Sequence, residues 1–179
     1  MIVAGLDLSL THTGYVILDQ EGVVKASGVI KSKPSGDTHL AETQRIVKIA
    51  EEAVQKIDDY CPDGPDLVVI EGLAFMAKGT SLVQLAGLNY LIRILLAEFG
   101  WRSIIVMPST LKKFITGSGK GDKDMIMMAL YRDYGHESLD NNEADAYGMG
   151  VCGLALLGKP LKKLTIPQQE VVTLLKKQV

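Results

Sequence analysis

The sequence predicts an α/β domain built on a mixed five-stranded sheet, three antiparallel strands followed by two parallel ones, flanked by helices. Two observations carry this reading. Three short β-prone runs follow one another at the start of the chain, separated only by polar or glycine-bearing turns. After them, long stretches with apolar residues at three- and four-residue steps alternate with short apolar runs, which is the order helix, strand, helix, strand, helices. A third observation bounds the size. The 179 residues, 47% apolar and 22% charged, suffice for one substantial core and not for two, so residues 1–158 read as one domain and 159–179 as a tail.

Taken in order, Ile2 to Leu8, Gly14 to Asp19 and Gly22 to Ile30 form the antiparallel meander. Lys31 to Asp37, with Pro34 and Gly36, is a loop. From Thr38 onward, Leu40, Thr43, Ile46, Val47, Ala50, Val54 and Ile57 place one apolar stripe on a long helix, which Cys61 to Pro65 stops. Asp66 to Ile70 reads as a strand buried on both faces, as a central parallel strand must be, and Glu71 terminates it. Leu82, Leu85, Leu88, Ile92, Leu95 and Phe99 mark a second long helix from Thr80 to Phe99, closed by Gly100. Ile104 to Met107 is the fifth strand. Pro108 then opens a helical turn through Lys112 and Phe114 before the glycine-rich break Thr116 to Gly121. Asp122 to Tyr134 and Asn142 to Leu157 are two further helices, and Val171 to Lys177 a short last one, packed on the body or on a second subunit.

No stretch approaches the roughly 18 uncharged apolar residues that cross a bilayer, and no basic region precedes the first apolar run. A soluble, cytoplasmic protein is expected, with no membrane partner. Cys61 and Cys152 match no metal-ligand spacing and read as reduced thiols. The net charge of −2 argues weakly against nucleic acid, but the lysines are unevenly placed. They gather at Lys112, Lys113, Lys120 and Lys123, and again at Lys159, Lys162, Lys163, Lys176 and Lys177. Ordinary solvated faces would give the same pattern.

Two carboxylates stand where apolar strands have no use for them. Asp7 interrupts the first strand and Glu71 sits at the carboxyl end of the fourth. Desolvating an unpaired charge costs on the order of several kcal/mol. Singly, Asp7 reads as a strand-end turn former and Glu71 as a surface acid. If their strands are neighbours, the two repel, and a divalent cation relieves the repulsion. The last main helix adds a third carboxylate, because Asn142 and Asp145, three residues apart, project from one face. Asp140 and Glu143 fit an N-cap with a capping-box glutamate. Carboxylates in the first strand, at the end of the fourth and on a late helix are the layout that holds two magnesium ions for phosphodiester hydrolysis. Manganese is expected to substitute, and no cluster of His and Cys suggests zinc.

Four stretches, GLDLSLTHTGY, VVIEGLAFMAKGTSLVQLAG, PSTLKKFITGSGKGDKDMI and NNEADAYGMG, resemble the motifs of RuvC-type Holliday junction resolvases, in family order and spacing over roughly Met1 to Gly158. The resemblance implies an RNase H-like fold, and a Mg2+-dependent endonuclease that resolves four-way junctions by paired symmetric nicks. It implies Asp7, Glu71 and Asp145 as metal-binding acids. Asn142 falls where relatives carry Asp or His, and an amide oxygen brings no charge, so the second ion is expected to bind more weakly. Lys112 and Lys123 match lysines near the scissile phosphate, where an ammonium offsets charge developing in the transition state. Lys113 and Lys120 read as DNA-backbone contacts or as solvated lysines. Phe75 resembles an aromatic set against distorted bases at the junction centre, although its spacing is one residue off, so Met76 or plain core packing competes. Leu8 and Ser9 replace the family's more usual Pro-Gly. The short chain and divergent motifs point to a phage enzyme, and no residue pattern identifies a helicase partner.

Whether Asn142 or Glu143 completes the site is open between geometry and chemistry. Asn142 lies one turn before Asp145 on the same face, whereas Glu143 is the stronger ligand but points away; geometry ranks first here. A homodimer is expected, because resolving a junction takes two symmetric nicks and the apolar helix Thr80 to Phe99 offers an interface. The competing readings are a flap or branched-DNA nuclease or an RNase H-type enzyme on the same fold, a silent DNA-binding module, and an actin-like ATP-binding domain. The last needs a second domain and a further glycine-rich motif that the sequence lacks.

Overall fold

In the computed structural model, which describes residues 1–34, 36, 38–73, 80–118, 123–138 and 140–178 and leaves the side chain of Lys123 undescribed, five strands make one sheet in the order β3-β2-β1-β4-β5. The strands are β1 (Ile2–Asp7), β2 (His12–Asp19), β3 (Val24–Lys31), β4 (Leu67–Glu71) and β5 (Ser103–Val106). The first three pair antiparallel, and β4 joins β1, and β5 joins β4, in parallel. The helices are α1 (His39–Asp58), α2 (Thr80–Glu98), α3 (Pro108–Thr116), α4 (Lys123–Tyr134), α5 (Asn141–Leu156) and α6 (Ile166–Leu175).

Strand alternation divides the apolar side chains between two cores. Val3, Val16, Val69 and Val106 pack with α3, α4, α5 and α6 on one face. Ala4, Leu6, Val68 and Ile70 pack with α1 and α2 on the other. α1 begins as the sequence predicts, with the Thr38 hydroxyl accepting the Ala41 N–H at 3.1 Å.

α5 is buried over almost its whole length, at Ala144 and from Ala146 to Leu156. It reaches the sheet more closely than ordinary side chains permit. A Cβ on Gly14 would lie 2.1 Å from the Asn142 carbonyl oxygen, and one on Gly5 2.1 Å from that of Ala146. The two strand glycines therefore let the α5 backbone rest directly on β1 and β2.

Three expectations change. The third strand starts at Val24 rather than Gly22, because Asp19 Oδ1 accepts the N–H groups of Glu21 and Val23 and closes a turn there, with Gly22 at φ 81°. The last helix runs Ile166–Leu175 rather than Val171 to Lys177. Its start is set at Thr165, whose N–H donates to Gln168 Oε1 at 3.0 Å, while the buried Gln168 amide donates to the Phe114 carbonyl at 2.9 Å. Val171, Val172 and Leu175 enter the α5 core, so this segment packs on the body. Third, α2 is long and apolar enough to cross a membrane by length and composition, although Arg93 and Glu98 interrupt its apolar run. One side of it, Leu88, Ile92 and Leu96, is buried with α1 and the sheet.

Ion pairs tie the tail down. Asp133 accepts from Arg132 at 2.6 Å and from Lys162 at 2.5 Å, and these cations, Arg132 foremost, hold its carboxyl down at about 2.

Gly14→Ala should lower stability by roughly 3 kcal/mol, the upper range of overpacking, because neither backbone can retreat from a 2.1 Å approach. Urea unfolding with the m-value unchanged is the check. A loss under about 0.5 kcal/mol would mean that α5 shifts freely.

Candidate active site

The carboxyl ends of β1 and β4 meet beneath the start of α5. Leu6 pairs with Ile70 in the parallel register, so Asp7 and Glu71 occupy the next step on neighbouring strands, about 4.8 Å apart along the hydrogen-bonding direction. Alternation turns both toward the α5 face, the side taken by Val3 and Val69. Asp7 is only 6% exposed and Glu71 is half-buried. Asn89 of α2 donates from Nδ2 to the Glu71 carbonyl at 3.2 Å, which fixes the strand end behind the carboxylate.

Above them, the Asn142 carbonyl lies against Gly14, the Cα partner of Asp7, and the Ala146 carbonyl against Gly5. Asp145, half-buried, thus rides on the stretch of α5 that crosses β1. The sheet register and the glycine contacts bring Asp7, Glu71, Asn142 and Asp145 to one end of the fold. Their side chains do not close into a cluster: among the described residues, no three His, Cys, Asp or Glu side chains form a metal-holding group.

The start of α5 separates the roles of its polar residues. Asp140 is the N-cap, and its Oδ1 accepts the Asn142 N–H at 2.8 Å and the Asn142 side-chain amide at 3.1 Å. That contact orients the Asn142 amide through its nitrogen and leaves its oxygen available. Glu143 does not complete the expected capping box. Its Oε1 accepts the Ser27 hydroxyl of β3 at 2.5 Å and its Oε2 faces the Ser138 hydroxyl at 2.9 Å, so it ties the helix start to the sheet edge. The Asp140 N–H goes instead to Ser138 Oγ at 3.2 Å.

The remaining predicted residues lie in or beside α3. Leu111 and Ile115 pack at Gly148 of α5, which places the half-buried Lys112 in the helix leaving β5, the neighbour of β4. The Lys113 ammonium is engaged by Glu170 of α6 at 2.6 Å, which competes with the DNA-backbone role read from sequence. Phe75, Met76, Lys120 and the Lys123 side chain lie outside the described residues. Sequence reasoning missed Ser27 and Asn89. The signal for Asn89 was present, an amide beside Leu88 on an apolar helix; Ser27 had none, since its partner lies 116 positions away.

A mixed sheet of this order, with carboxylates ending its first and fourth strands under a buried late helix, defines an RNase H-like fold. The chain belongs to the crossover junction endodeoxyribonuclease RuvC family, whose profile matches residues 3–155. It is 27% identical over 164 residues to the crossover junction endodeoxyribonuclease RuvC of Synechococcus sp., covering 86% of this chain and 98% of the relative. It is 30% identical over 158 residues to that of Anaeromyxobacter sp., covering 87% and 73%. The structure of Thermus thermophilus RuvC in complex with Holliday junction substrate superposes with a TM-score of 0.73 at 18% identity, covering 89% of this chain and 97% of the other.

A double-mutant cycle between Ser27→Ala and Glu143→Ala should return a coupling of about 1 kcal/mol or more in thermal or urea unfolding, since each change strands a polar partner. Additive effects would remove the structural role assigned to Glu143.

Proposed function

We propose that this protein is a divalent-metal-dependent DNA endonuclease that resolves Holliday junctions by paired nicks. The observation that carries the reading is the placement of Asp7 and Glu71 at one step of neighbouring parallel strands, under the α5 start that bears Asn142 and Asp145, in a member of the RuvC family. The donor set fits the metal. Carboxylate and amide oxygens are hard ligands suited to magnesium or manganese, and a carboxylate as buried as Asp7 gains most from a cation. Asp7, Glu71 and Asp145 would hold the ions, with the Asn142 oxygen as the weaker fourth donor. When bound, two magnesium ions supply water activation and stabilisation of the leaving oxygen.

The chain's own groups do the rest. The β1 and β4 ends hold two carboxylates in fixed register. Asp140 holds the Asn142 amide by its nitrogen. Lys112, half-buried on the helix that leaves β5, would supply positive charge toward an approaching phosphate. The engagement of both Glu143 oxygens by serines favours Asn142 over Glu143 as the fourth ligand.

A homodimer follows from the outer side of α2. Val83, Gly87, Tyr90, Ile94 and Ala97 are exposed at steps of four, three, four and three, the spacing of a helix–helix seam. Val83 is 72% exposed and Tyr90 59%, and Gly87 allows two backbones to approach. Paired nicks require two equivalent sites, which a twofold axis supplies. The buried thiols of Cys61 and Cys152, pushed up by burial to about 11 and about 12, suit a reducing compartment such as the cytoplasm.

Cleavage of a synthetic four-way junction, compared with flap, linear duplex and RNA–DNA hybrid, tests the reading in magnesium. Glu71→Gln and Asp145→Asn should each lose cleavage by at least about 100-fold while still binding the junction; normal turnover by either excludes the site. In the same titration Asn142→Ala should raise, and Asn142→Asp lower, the magnesium needed for half-maximal cleavage. Ile94→Glu should give a monomer in sedimentation at micromolar concentration and uncouple the two nicks, whereas an unchanged dimer moves the interface away from α2.

A further inference from the structure

A second basic surface lies off the catalytic end, assembled from lysines of two separate segments. β3 is antiparallel to β2, and β2 to β1, so the end of β3 at Lys31 points the same way as the carboxyl ends that bear Asp7 and Glu71. There β3 meets the first half of α1 around a groove of 240 Å³ lined by Lys31, Lys33, Arg45 and Lys48, with Glu52 as its one carboxylate.

The groove is built rather than incidental. Arg45 Nε donates to Ser32 Oγ at 3.0 Å, and its guanidinium also donates to the Leu10 carbonyl in the β1–β2 turn. One side chain thereby locks the α1 helix, the segment after β3 and the turn after β1. Lys31, Lys33 and Lys48 are exposed. Among the described residues Lys31, Lys33 and Lys48 enter none of the ion pairs seen, which join Lys25 to Asp19, Lys113 to Glu170, and Arg132 and Lys162 to Asp133. In a chain of net charge −2, such a local excess of cations attracts a polyanion.

Geometry names the polyanion. From β1 to β3 is two strand spacings, roughly 10 Å laterally, about a third of the ~34 Å helical turn of B-DNA; the groove opens on the α1 face and the carboxylates on the α5 face, but both reach the same end of the sheet. A duplex that delivers a phosphate to the ends of β1 and β4 would cover the groove within the same turn.

We propose that the β3–α1 groove is a backbone track for one duplex arm of the branched substrate, with Lys31, Lys33 and Lys48 contacting phosphates and Arg45 holding the track in shape. This rests on the nuclease reading above and extends it to substrate positioning. Contacts of this kind carry affinity and orientation without base preference.

The test is metal-free binding of a labelled four-way junction by the full chain over a range of salt. The triple variant Lys31→Gln, Lys33→Gln, Lys48→Gln should keep its melting temperature and lower the slope of log affinity against log salt by about 2 to 3, near 0.9 for each lost phosphate contact. Glu52→Gln should tighten binding. Lys25→Gln, at the far end of β3, should leave the slope unchanged. A wild-type slope in the triple variant, or an equal loss in Lys25→Gln, overturns the track and leaves the nuclease reading standing. Failure of the wild-type chain to bind any DNA overturns both.

Discussion

The structure depends on how closely α5 lies against β1 and β2. Helices usually stand off a sheet by the thickness of two side-chain layers, but here the strand glycines at positions 5 and 14 place helix carbonyls directly over strand backbone. The consequence is lateral and vertical precision. Asn142 is fixed over the step occupied by Asp7, and Asp145 follows along the same crossing. α5 can be held this way because it is apolar and buried from Ala146 to Leu156, so any drift would cost packing on both sides. A site assembled from two strand ends and a helix inherits its tolerance from that contact.

The same contact sets an electrostatic problem. Asp7 is nearly as buried as the valines beside it, and Glu71 is its neighbour across the ladder. Gathering two carboxylates at that spacing with a third on the helix costs folding free energy through desolvation and like-charge repulsion, which the surrounding apolar core offsets. A cation that binds only the folded chain returns part of that energy through mass action. In the proposed site, metal affinity and fold stability would therefore be linked quantities, and Asn142 in place of a fourth acid would relieve repulsion at the expense of cation affinity.

Much of this was legible in the sequence because the signals were local. Apolar strands interrupted by Asp7 or ended by Glu71 reveal misplaced charge without any structure, and stripes such as Ile46, Ala50, Val54 and Ile57 fix α1. Elements failed at their ends, where one side-chain contact decides: Asp19 closed the turn before β3, and Thr165 with Gln168 started α6 early. The capping box at Glu143 failed for a different reason, since Ser27 competes for the carboxylate from a distant strand. Charge was the least legible property. Lysines in the sequence clusters, such as Lys113 and Lys162, are paired with acids, whereas Lys48 joins Lys31 and Lys33 only when β3 docks on α1.

The two sheet faces divide the proposed work, and the division constrains the dimer proposed above. α5 covers the face on which the carboxylates open, while α2 lies on the other, with its outer seam turned away from both cores. α2 begins just after the segment leaving Glu71, so Val83 lies near the catalytic end and Ala97 toward the far end. If two copies met with antiparallel α2 helices, their catalytic ends would face opposite ways and reach one junction only by wrapping it. A twofold axis running along the seam makes the helices parallel and puts both catalytic ends on one side. The proposed pair of symmetric nicks in a single four-way junction favours that second arrangement. It also directs both β3–α1 grooves toward the same side, where the arms of one substrate could run along them.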